Sequence, residues 1–185
     1  MSVGAGPVQG EAADDVVASG RRVLLRTPRP ADAPLLLAAV QRSRRLHAPW
    51  VSPPATPQAY SRFLEQLQLP QNHGWLVVHR RSGELAGVIN LTNIVMGVFR
   101  SGYLGYYAFE GHARQGLMGE ALRLVVRHAF GALHLHRLEA NMQPGNLASI
   151  ALVRRAGFRQ EGCSPRYLKI GGRWRDHERW ALVKR

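Results

Sequence analysis

Three segments in the middle of the chain constrain the fold most strongly, because each is rich in β-branched and aromatic residues. They read GWLVVHR, GELAGVINLTNIV and SGYLGYYAF, and glycine-containing turns separate them. Such runs, joined by a short connection such as RRSGEL, are typical of β-hairpins. The sequence therefore predicts an antiparallel meander of three strands.

Helices and further strands are predicted on both sides of this meander. A start signal at Asp32 and Pro34 and a Thr56-Pro57 cap each predict a helix. In chain order we expect the strand Val23 to Arg26, these two helices, the meander, a long helix from about Gly116 to Ala132, the strand HRLEANMQ, a helix after Asn146, and a final strand pair around IGGRWRD. This pattern predicts a single α+β (mixed α/β) domain over residues 21–185, with about four helices.

Residues 1–20 are rich in glycine and alanine and are acidic, so we predict a flexible leader there. They lack the basic and apolar regions of a signal peptide. The chain has no run of about 18 apolar residues, so no membrane span is expected. The single Cys163 excludes an intramolecular disulfide and fits a cytoplasmic location.

The chain carries 25 Lys and Arg against 12 Asp and Glu, a formal net charge of +13. A charge of this size attracts polyanions. Two partners fit: nucleic acid, including a ribosome, or a cofactor rich in phosphate. A merely solvated basic surface is the third interpretation.

The segment HARQGLMGEAL places Arg114, Gly116 and Gly119 where the long amphipathic helix begins. The first turn of a helix has unpaired N–H groups and the positive end of the helix dipole. Glycine there lets an anion approach the backbone, so the segment predicts a pyrophosphate site. Tight packing of the two glycines is the alternative.

The segment PGNLASIALVRRAGFRQEG follows about 25 residues later. Asn146 is predicted to cap a helix by accepting a hydrogen bond from the N–H of Ser149, and Gly157 is predicted to end that helix. A capped helix with a glycine stop also explains this pattern without any function.

Together these segments resemble the GNAT superfamily of acyl-CoA-dependent N-acetyltransferases, and most of all the Rim type, which acetylates N-terminal alanines of bacterial ribosomal proteins. The resemblance runs from about Arg21 to Val183. It rests on LHAPW, GYYAF, ARQGLMGEAL, NLASIALVRRAGFRQEG and YLKIGGRWRDH. The family's pyrophosphate motif, Gln/Arg-x-x-Gly-x-Gly/Ala, is matched here only at Gly116, and Gly119 follows one residue late.

The resemblance implies a mixed, mostly antiparallel sheet that is splayed between its fourth and fifth strands, with acetyl-CoA in the gap. Tyr107, Ala108 and Phe109 would supply the strand edge and an oxyanion donor, and residues 116–119 would hold the pyrophosphate. The complete implied cofactor set is Tyr107, Ala108, Phe109, Arg114, Gln115, Gly116, Leu117, Met118, Gly119, Asn141, Asn146 and Arg155. No metal is expected, because the HLH segment has no partner ligands at metal spacing.

For catalysis, the resemblance places Asn146 against the pantetheine arm and Ser149 near the sulfur. Some relatives have a tyrosine acid where this chain has Val153, so Ser149 is the expected donor. Glu110 and Glu139 are candidate bases for the acceptor amine. Pairing of each carboxylate with an arginine is the alternative, in which case water would carry the proton.

Trp50, Tyr167 and Trp174 are candidates for the acceptor pocket, with core packing as the alternative for each. Three functions stay open: acetylation of a protein N-terminus such as that of a ribosomal protein, acetylation of a small amine, and non-catalytic binding of RNA or ribosomes. The sequence does not distinguish a monomer from a homodimer.

Overall fold

A computed structural model describes residues 15–185. Its strands are β1 (Val16–Ser19), β2 (Val23–Arg26), β3 (His73–His79), β4 (Leu85–Val95), β5 (Ser101–Ala108), β6 (Arg137–Met142), β7 (Arg159–Ile170) and β8 (Arg173–Val183). Its α-helices are α1 (Ala33–Arg42), α2 (Arg44–His47), α3 (Pro57–Leu67), α4 (Leu117–Phe130) and α5 (Leu147–Arg155). None of these helices has the length and apolar character needed to span a bilayer.

All eight strands form one sheet, in the order β1-β2-β3-β4-β5-β6-β8-β7. The pair β5–β6 is parallel and every other neighbouring pair is antiparallel. The predicted α+β class and the meander β3-β4-β5 are thus confirmed. Parallel neighbours need a long crossover connection, and α4 provides it.

Two details differ from the sequence prediction. Val16–Ser19 lies within the predicted flexible leader but pairs with β2, so that prediction is wrong for these residues. Residues 1–14 of the leader lie outside the described part of the chain. There are five α-helices rather than about four among the described residues, because α2 is a separate four-residue turn.

The sheet is covered on both faces. Helices α4 and α5 pack on one face, and α1 and α3 pack on the other. Two adjacent rows of residues face the sheet from α4 and are buried except for His128, which is half-buried; they are Leu117, Ala121, Leu124 and His128, and Met118, Leu122, Val125 and Ala129. Seven apolar side chains of α4 are buried, and burial of each large one contributes about 1.5–3 kcal/mol. This packing fixes the N-terminus of α4 against the sheet.

The sheet opens between β5 and β6. The parallel pairing runs from Ser101 opposite Arg137 to Leu104 opposite Ala140 and then stops. Strand β5 continues for four more residues, still paired with β4 as far as Ala108. The Tyr106 hydroxyl donates to the Ser149 carbonyl at 3.1 Å, which anchors the start of α5 over this unpaired stretch. The predicted splay between the fourth and fifth predicted strands is confirmed.

Candidate active site

The loop between β5 and α4 ends at Gly116, which caps the helix in the left-handed conformation with φ of 75°. No side chain in residues 15–185 caps the first turn of α4 with a hydrogen bond. Within the described residues, no backbone carbonyl accepts one from the amides of Leu117, Met118 or Gly119 either. The side chains of Leu117 and Met118 are buried in the core, so only their backbone is available. Uncapped amides at the positive end of a helix dipole favour an anion at this position.

The two glycines at this helix start have different explanations. Gly116 is required by its positive φ, which other residues rarely adopt. At Gly119, a Cβ atom would meet Leu152 Cδ1 at 3.6 Å and Arg123 Nη1 at 4.0 Å, which is ordinary contact. Packing therefore does not explain why position 119 is glycine, a residue that costs a helix about 1 kcal/mol relative to alanine. Approach of a ligand to the backbone does explain it.

Arg22, at the start of β2, places a cation over this loop. Its Nη1 donates to the Gln115 carbonyl at 2.9 Å, and its Nε donates to Glu120 Oε2 at 3.1 Å. A Cβ atom on Gly116 would lie 3.3 Å from Arg22 Nη2. Burial raises the pKa of Glu120, but the hydrogen bonds from Arg22 and Val23 outweigh it and lower that pKa overall. Sequence analysis missed Arg22, because it lies 93 residues from Gln115.

The other polar side chains predicted to bind the cofactor at this end, those of Arg114, Gln115 and Arg155, are exposed. Arg114 has φ of 61° and is exposed, without a hydrogen bond or ion pair in the described structure. Gln115 is exposed, and its side chain is bonded within the loop, since its Nε2 donates to the Gly111 carbonyl at 2.6 Å. Arg155 is exposed in the last turn of α5 and does not line the clefts beside the site.

Four arginines surround a groove of about 800 Å³ along the outer side of α4. They are Arg21, Arg22, Arg123 and Arg127. Glu120 is the acidic residue of the lining, and it is paired with Arg22. Four of the 25 Lys and Arg side chains therefore line one groove beside α4, where they favour phosphate groups.

A second cleft, of about 560 Å³, lies where β5 and β6 separate. It brings together five predicted site residues: Trp50, Asn141, Asn146, Ser149 and Tyr167. It also contains residues that were not predicted, among them Thr92, Asn93, Tyr103, Tyr106, Gln143 and His177. The alternation of side chains along β5 could have indicated Tyr103, and His177 ends the motif YLKIGGRWRDH.

Asn146 caps α5 as predicted, because its Oδ1 accepts the Ser149 N–H at 3.2 Å. The Asn141 side chain has a different state: its Oδ1 is buried and accepts no hydrogen bond from the described residues. A buried acceptor without a partner costs about 1–3 kcal/mol. A ligand N–H in the cleft would satisfy it, as the amides of a pantetheine arm would.

Neither predicted base lies in the cleft. Glu139 accepts from Arg137 Nε at 2.8 Å, and Arg137 also pairs with Glu161, so the alternative of an arginine partner is confirmed. Glu110 is exposed beyond the end of β5, and its backbone N–H donates to Ser43 Oγ at 2.9 Å.

Part of the predicted β5 edge is already used by the fold. Phe109 is buried and its N–H donates to the Ala86 carbonyl at 2.9 Å, so its prediction as an oxyanion donor is wrong. The Ala108 carbonyl accepts from His47 Nε2 at 2.8 Å. Tyr107 packs against α1 and α3 rather than into the cleft. The free edge is therefore the stretch 105–108 apart from the Ala108 carbonyl, through backbone groups that β6 leaves unpaired.

The terminal hairpin contributes one of its two predicted aromatics. Tyr167 lines the cleft, whereas Trp174 is 61% exposed near the hairpin turn and does not. A β-bulge separates Ser164 and Leu168 in β7, and Asp176 Oδ1 accepts the Arg166 N–H there at 2.8 Å. Bulges of this kind redirect the neighbouring side chains. Within residues 15–185, no group of three His, Cys, Asp or Glu side chains is placed to hold a metal ion.

Comparison with known proteins places this geometry in a family. Residues 22–159 match the model of the acetyltransferase (GNAT) domain. The probable N-acetyltransferase YjcK of Bacillus subtilis is 35% identical over 121 residues, which cover 65% of this chain and 67% of that protein. The [ribosomal protein uS5]-alanine N-acetyltransferase of Escherichia coli is 43% identical over 100 residues, or 54% of this chain. The matched segment spans about half of that relative, 52%.

A solved structure shows the same fold. Mycobacterium smegmatis RimJ in complex with CoA-disulfide superposes with a TM-score of 0.80 at 28% identity, covering 87% of this chain and 81% of that one. The two chains thus share their overall fold. The chain belongs to the acetyltransferase (GNAT) domain family, whose members use acetyl-CoA as co-substrate.

Proposed function

We propose that this protein transfers the acetyl group of acetyl-CoA to a protein N-terminal amine of the ribosomal-protein type, by direct attack in a ternary complex. One observation carries the proposal: uncapped amides at the start of α4 stand beside an unpaired β5 edge that borders a cleft. The amides fit a diphosphate, and the strand edge fits the amide groups of a pantetheine arm.

The chain offers a separate contact to each part of acetyl-CoA. The amides of residues 117–119 hold the diphosphate, with Arg22 and Arg114 as its counter-charges. The backbone of residues 105–108 pairs with the pantetheine arm as a strand would. Asn141 Oδ1 accepts one of the arm's N–H groups, which supplies its missing partner. The thioester is then held in the cleft beside Ser149.

The reaction needs three events in the cleft. The acceptor ammonium loses a proton, the amine nitrogen attacks the thioester carbonyl, and the C–S bond breaks with protonation of the thiolate. The Ser149 side chain is hydrogen-bonded with Tyr106, and its hydroxyl donates to the sulfur directly or through water once the thioester is bound. A cleft lined by uncharged side chains favours the neutral amine over the ammonium ion, because it offers the ion no counter-charge.

The nature of the acceptor rests on relatives and on the cleft wall. One relative is named for the alanine of ribosomal protein uS5, and the similar solved structure is a RimJ. Trp50 and Tyr167 provide an aromatic entrance for the first residues of a peptide. Trp50 is held there against the β6–α5 turn, since Gln143 Nε2 donates to the Pro49 carbonyl at 3.2 Å.

The test is an acetylation screen with mass spectrometry and thiol release as parallel readouts. Peptides that begin with alanine or serine are compared with polyamines, amino acids and aminoglycosides at equal concentration. We expect α-N-acetylation of peptides at the highest kcat/KM. Preference for a small amine would overturn the assignment of the acceptor. Binding of RNA with a steep salt dependence, without thiol release for any amine, would instead support a non-catalytic basic module.

A further inference from the structure

We infer that His177, on β8, is the proton acceptor for the amine substrate. This inference rests on the proposed acetyl transfer and adds the base that the reaction needs. Sequence analysis placed that role on Glu110 or Glu139, and neither of them lines the cleft between β5 and β6.

The composition of the cleft wall leaves few candidates. Among the described residues that line it, none is Asp, Glu, Lys or Arg. The titratable side chains are His177 and three tyrosines, Tyr103, Tyr106 and Tyr167. Burial raises the pKa of Tyr106, and burial together with the charge of Glu139 raises the pKa of Tyr103. A phenol with a raised pKa donates hydrogen bonds at neutral pH, so it cannot take the proton.

The hydrogen bonding of His177 fixes its tautomer. The ring is 3% exposed, and Nδ1 lies 2.9 Å from the Arg175 carbonyl oxygen. A carbonyl can only accept, so Nδ1 carries the hydrogen. In a neutral ring Nε2 then has a free lone pair. Nε2 makes no hydrogen bond within the described residues. It is also not one of the buried side-chain nitrogen and oxygen atoms that lack a hydrogen-bond partner, so it keeps some exposed surface. The lone pair is therefore accessible from the cleft.

The charged side chains on the face of the ring are those of Arg175 and Arg179, which lie two residues away on either side along β8. No carboxylate faces it from the described residues that line the cleft. Tyr167 on β7 lies 6.1 Å away between ring centroids, and the residue paired with His177 across the hairpin is Ser164. Asp176 and Glu178 flank it along β8, but alternation points their side chains to the opposite face. Asp176 accepts the Arg166 amide, and Glu178 accepts from Trp180 Nε1 at 2.9 Å.

The proton step balances without an external reagent. Nε2 takes one proton from the acceptor ammonium, directly or through one water, which gives a neutral amine and an imidazolium. The amine attacks the thioester carbonyl, and collapse of the tetrahedral adduct breaks the C–S bond. The second nitrogen proton passes to the thiolate, and the imidazolium returns its proton to solvent.

The test compares His177→Asn with the wild type on a peptide with an N-terminal alanine. Asn keeps a donor close to the Nδ1 position, so it preserves the bond to Arg175, but it has no group at Nε2. An α-amino group ordinarily has a pKa of about 7.7–8.0, so roughly a tenth of it is deprotonated at pH 7. We expect kcat/KM to fall about ten-fold or more at pH 7, and the difference to narrow towards pH 9.

Affinity for acetyl-CoA, measured by calorimetry, is expected to stay within about two-fold of wild type and reports that the variant is folded. His177→Gln serves as the second variant if Asn lowers the thermal stability. A loss of equal size at every pH would assign His177 a structural role and overturn the inference, as would unchanged kcat/KM. A wild-type protein that binds acetyl-CoA but acetylates no amine would overturn the proposed function and this inference with it.

Discussion

Replacement of Gly119 by glutamate is expected to raise the stability of the free protein and to weaken its binding of acetyl-CoA. Because the two effects have opposite signs, the variant separates the folding role of the α4 start from its role in ligand binding. Gly119 lies in the first turn of α4, and its φ is not in the left-handed region. A side chain there meets only ordinary contacts. Gly116 is a poorer choice, since its φ of 75° penalises every other residue.

The change should stabilise the protein without ligand. Glutamate is a better helix former than glycine by up to about 1 kcal/mol, and a carboxylate in the first turn gains about 0.3–1 kcal/mol from the dipole. An i, i+4 pair with Arg123, whose Nη1 lies 4.0 Å from the Cβ position, adds about 0.2–0.5 kcal/mol. The sum is about 1–2 kcal/mol, and for a domain of this size each kcal/mol raises Tm by about 2–4 °C.

The same carboxylate should weaken acetyl-CoA binding. Two like charges about 6 Å apart repel by about 0.7–2.8 kcal/mol at effective dielectric constants between 80 and 20. A diphosphate beside these amides has more than one charge, so a loss of about 2 kcal/mol, or roughly 30-fold in Kd, is expected. The added carboxylate also occupies Arg123, which acts in the same direction.

Calorimetric titration with acetyl-CoA at low salt and thermal unfolding without ligand are the two measurements. Gly119→Gln has the same size without the charge and is the matched control, and Gly119→Ala reports helix propensity alone. We expect all three variants to be at least as stable as wild type, with Gly119→Glu the weakest binder. Equal Kd for the Glu and Gln variants would refute the diphosphate site at this helix start.

Further predictions concern the cap, the anchor of α5 and an acid-sensitive ion pair. Asn146→Ala removes the hydrogen bond from the Ser149 amide and should lower the free energy of unfolding, measured by chemical denaturation, by about 1 kcal/mol. Asn146→Asp should retain most of this stabilisation, because aspartate also caps helices. Tyr106→Phe removes a buried donor to the Ser149 carbonyl and should lower kcat more than it raises the KM for acetyl-CoA, whereas unchanged kcat would show that this anchor does not position the cleft. Burial raises the pKa of Asp32, but hydrogen bonds from Arg26 and from the Arg29 amide lower it below 3.8 overall. The stability that Asp32 contributes is therefore complete above about pH 4 and lost as pH falls through the folded pKa, so the difference in unfolding free energy between wild type and Asp32→Asn should shrink from pH 5 to pH 2.

Much of the framework follows from local patterns in the chain. Runs of β-branched and aromatic residues between glycine-containing turns mark β3, β4 and β5, and apolar residues that recur every three or four positions mark α4. Capping follows equally local rules: Thr56 accepts the Ala59 N–H at 3.1 Å, and Asn146 accepts that of Ser149. The strand β1 escaped prediction, because the composition of residues 1–20 predicted a flexible leader there.

The residues that perform chemistry were less predictable than the framework. Asn146, Ser149, Trp50 and Tyr167 were named from motifs and do meet in one cleft. Glu139 sits on the strand that borders the cleft, but Arg137 neutralises it two residues away. Sequence adjacency placed it near the site and could not show which partner its side chain would take.

By itself the sequence determined the α+β framework, the family and the uncapped helix start, because each depends on neighbours within a few residues. Only the tertiary structure decided that Arg22 reaches over the loop before α4, that Phe109 has no free amide and that His177 lines the cleft. These features depend on contacts between distant segments, such as the 98 residues that separate Arg22 from Glu120. They arise from the register of the strands and from the bulge that redirects side chains in β7. A local pattern in the sequence carries no information about either.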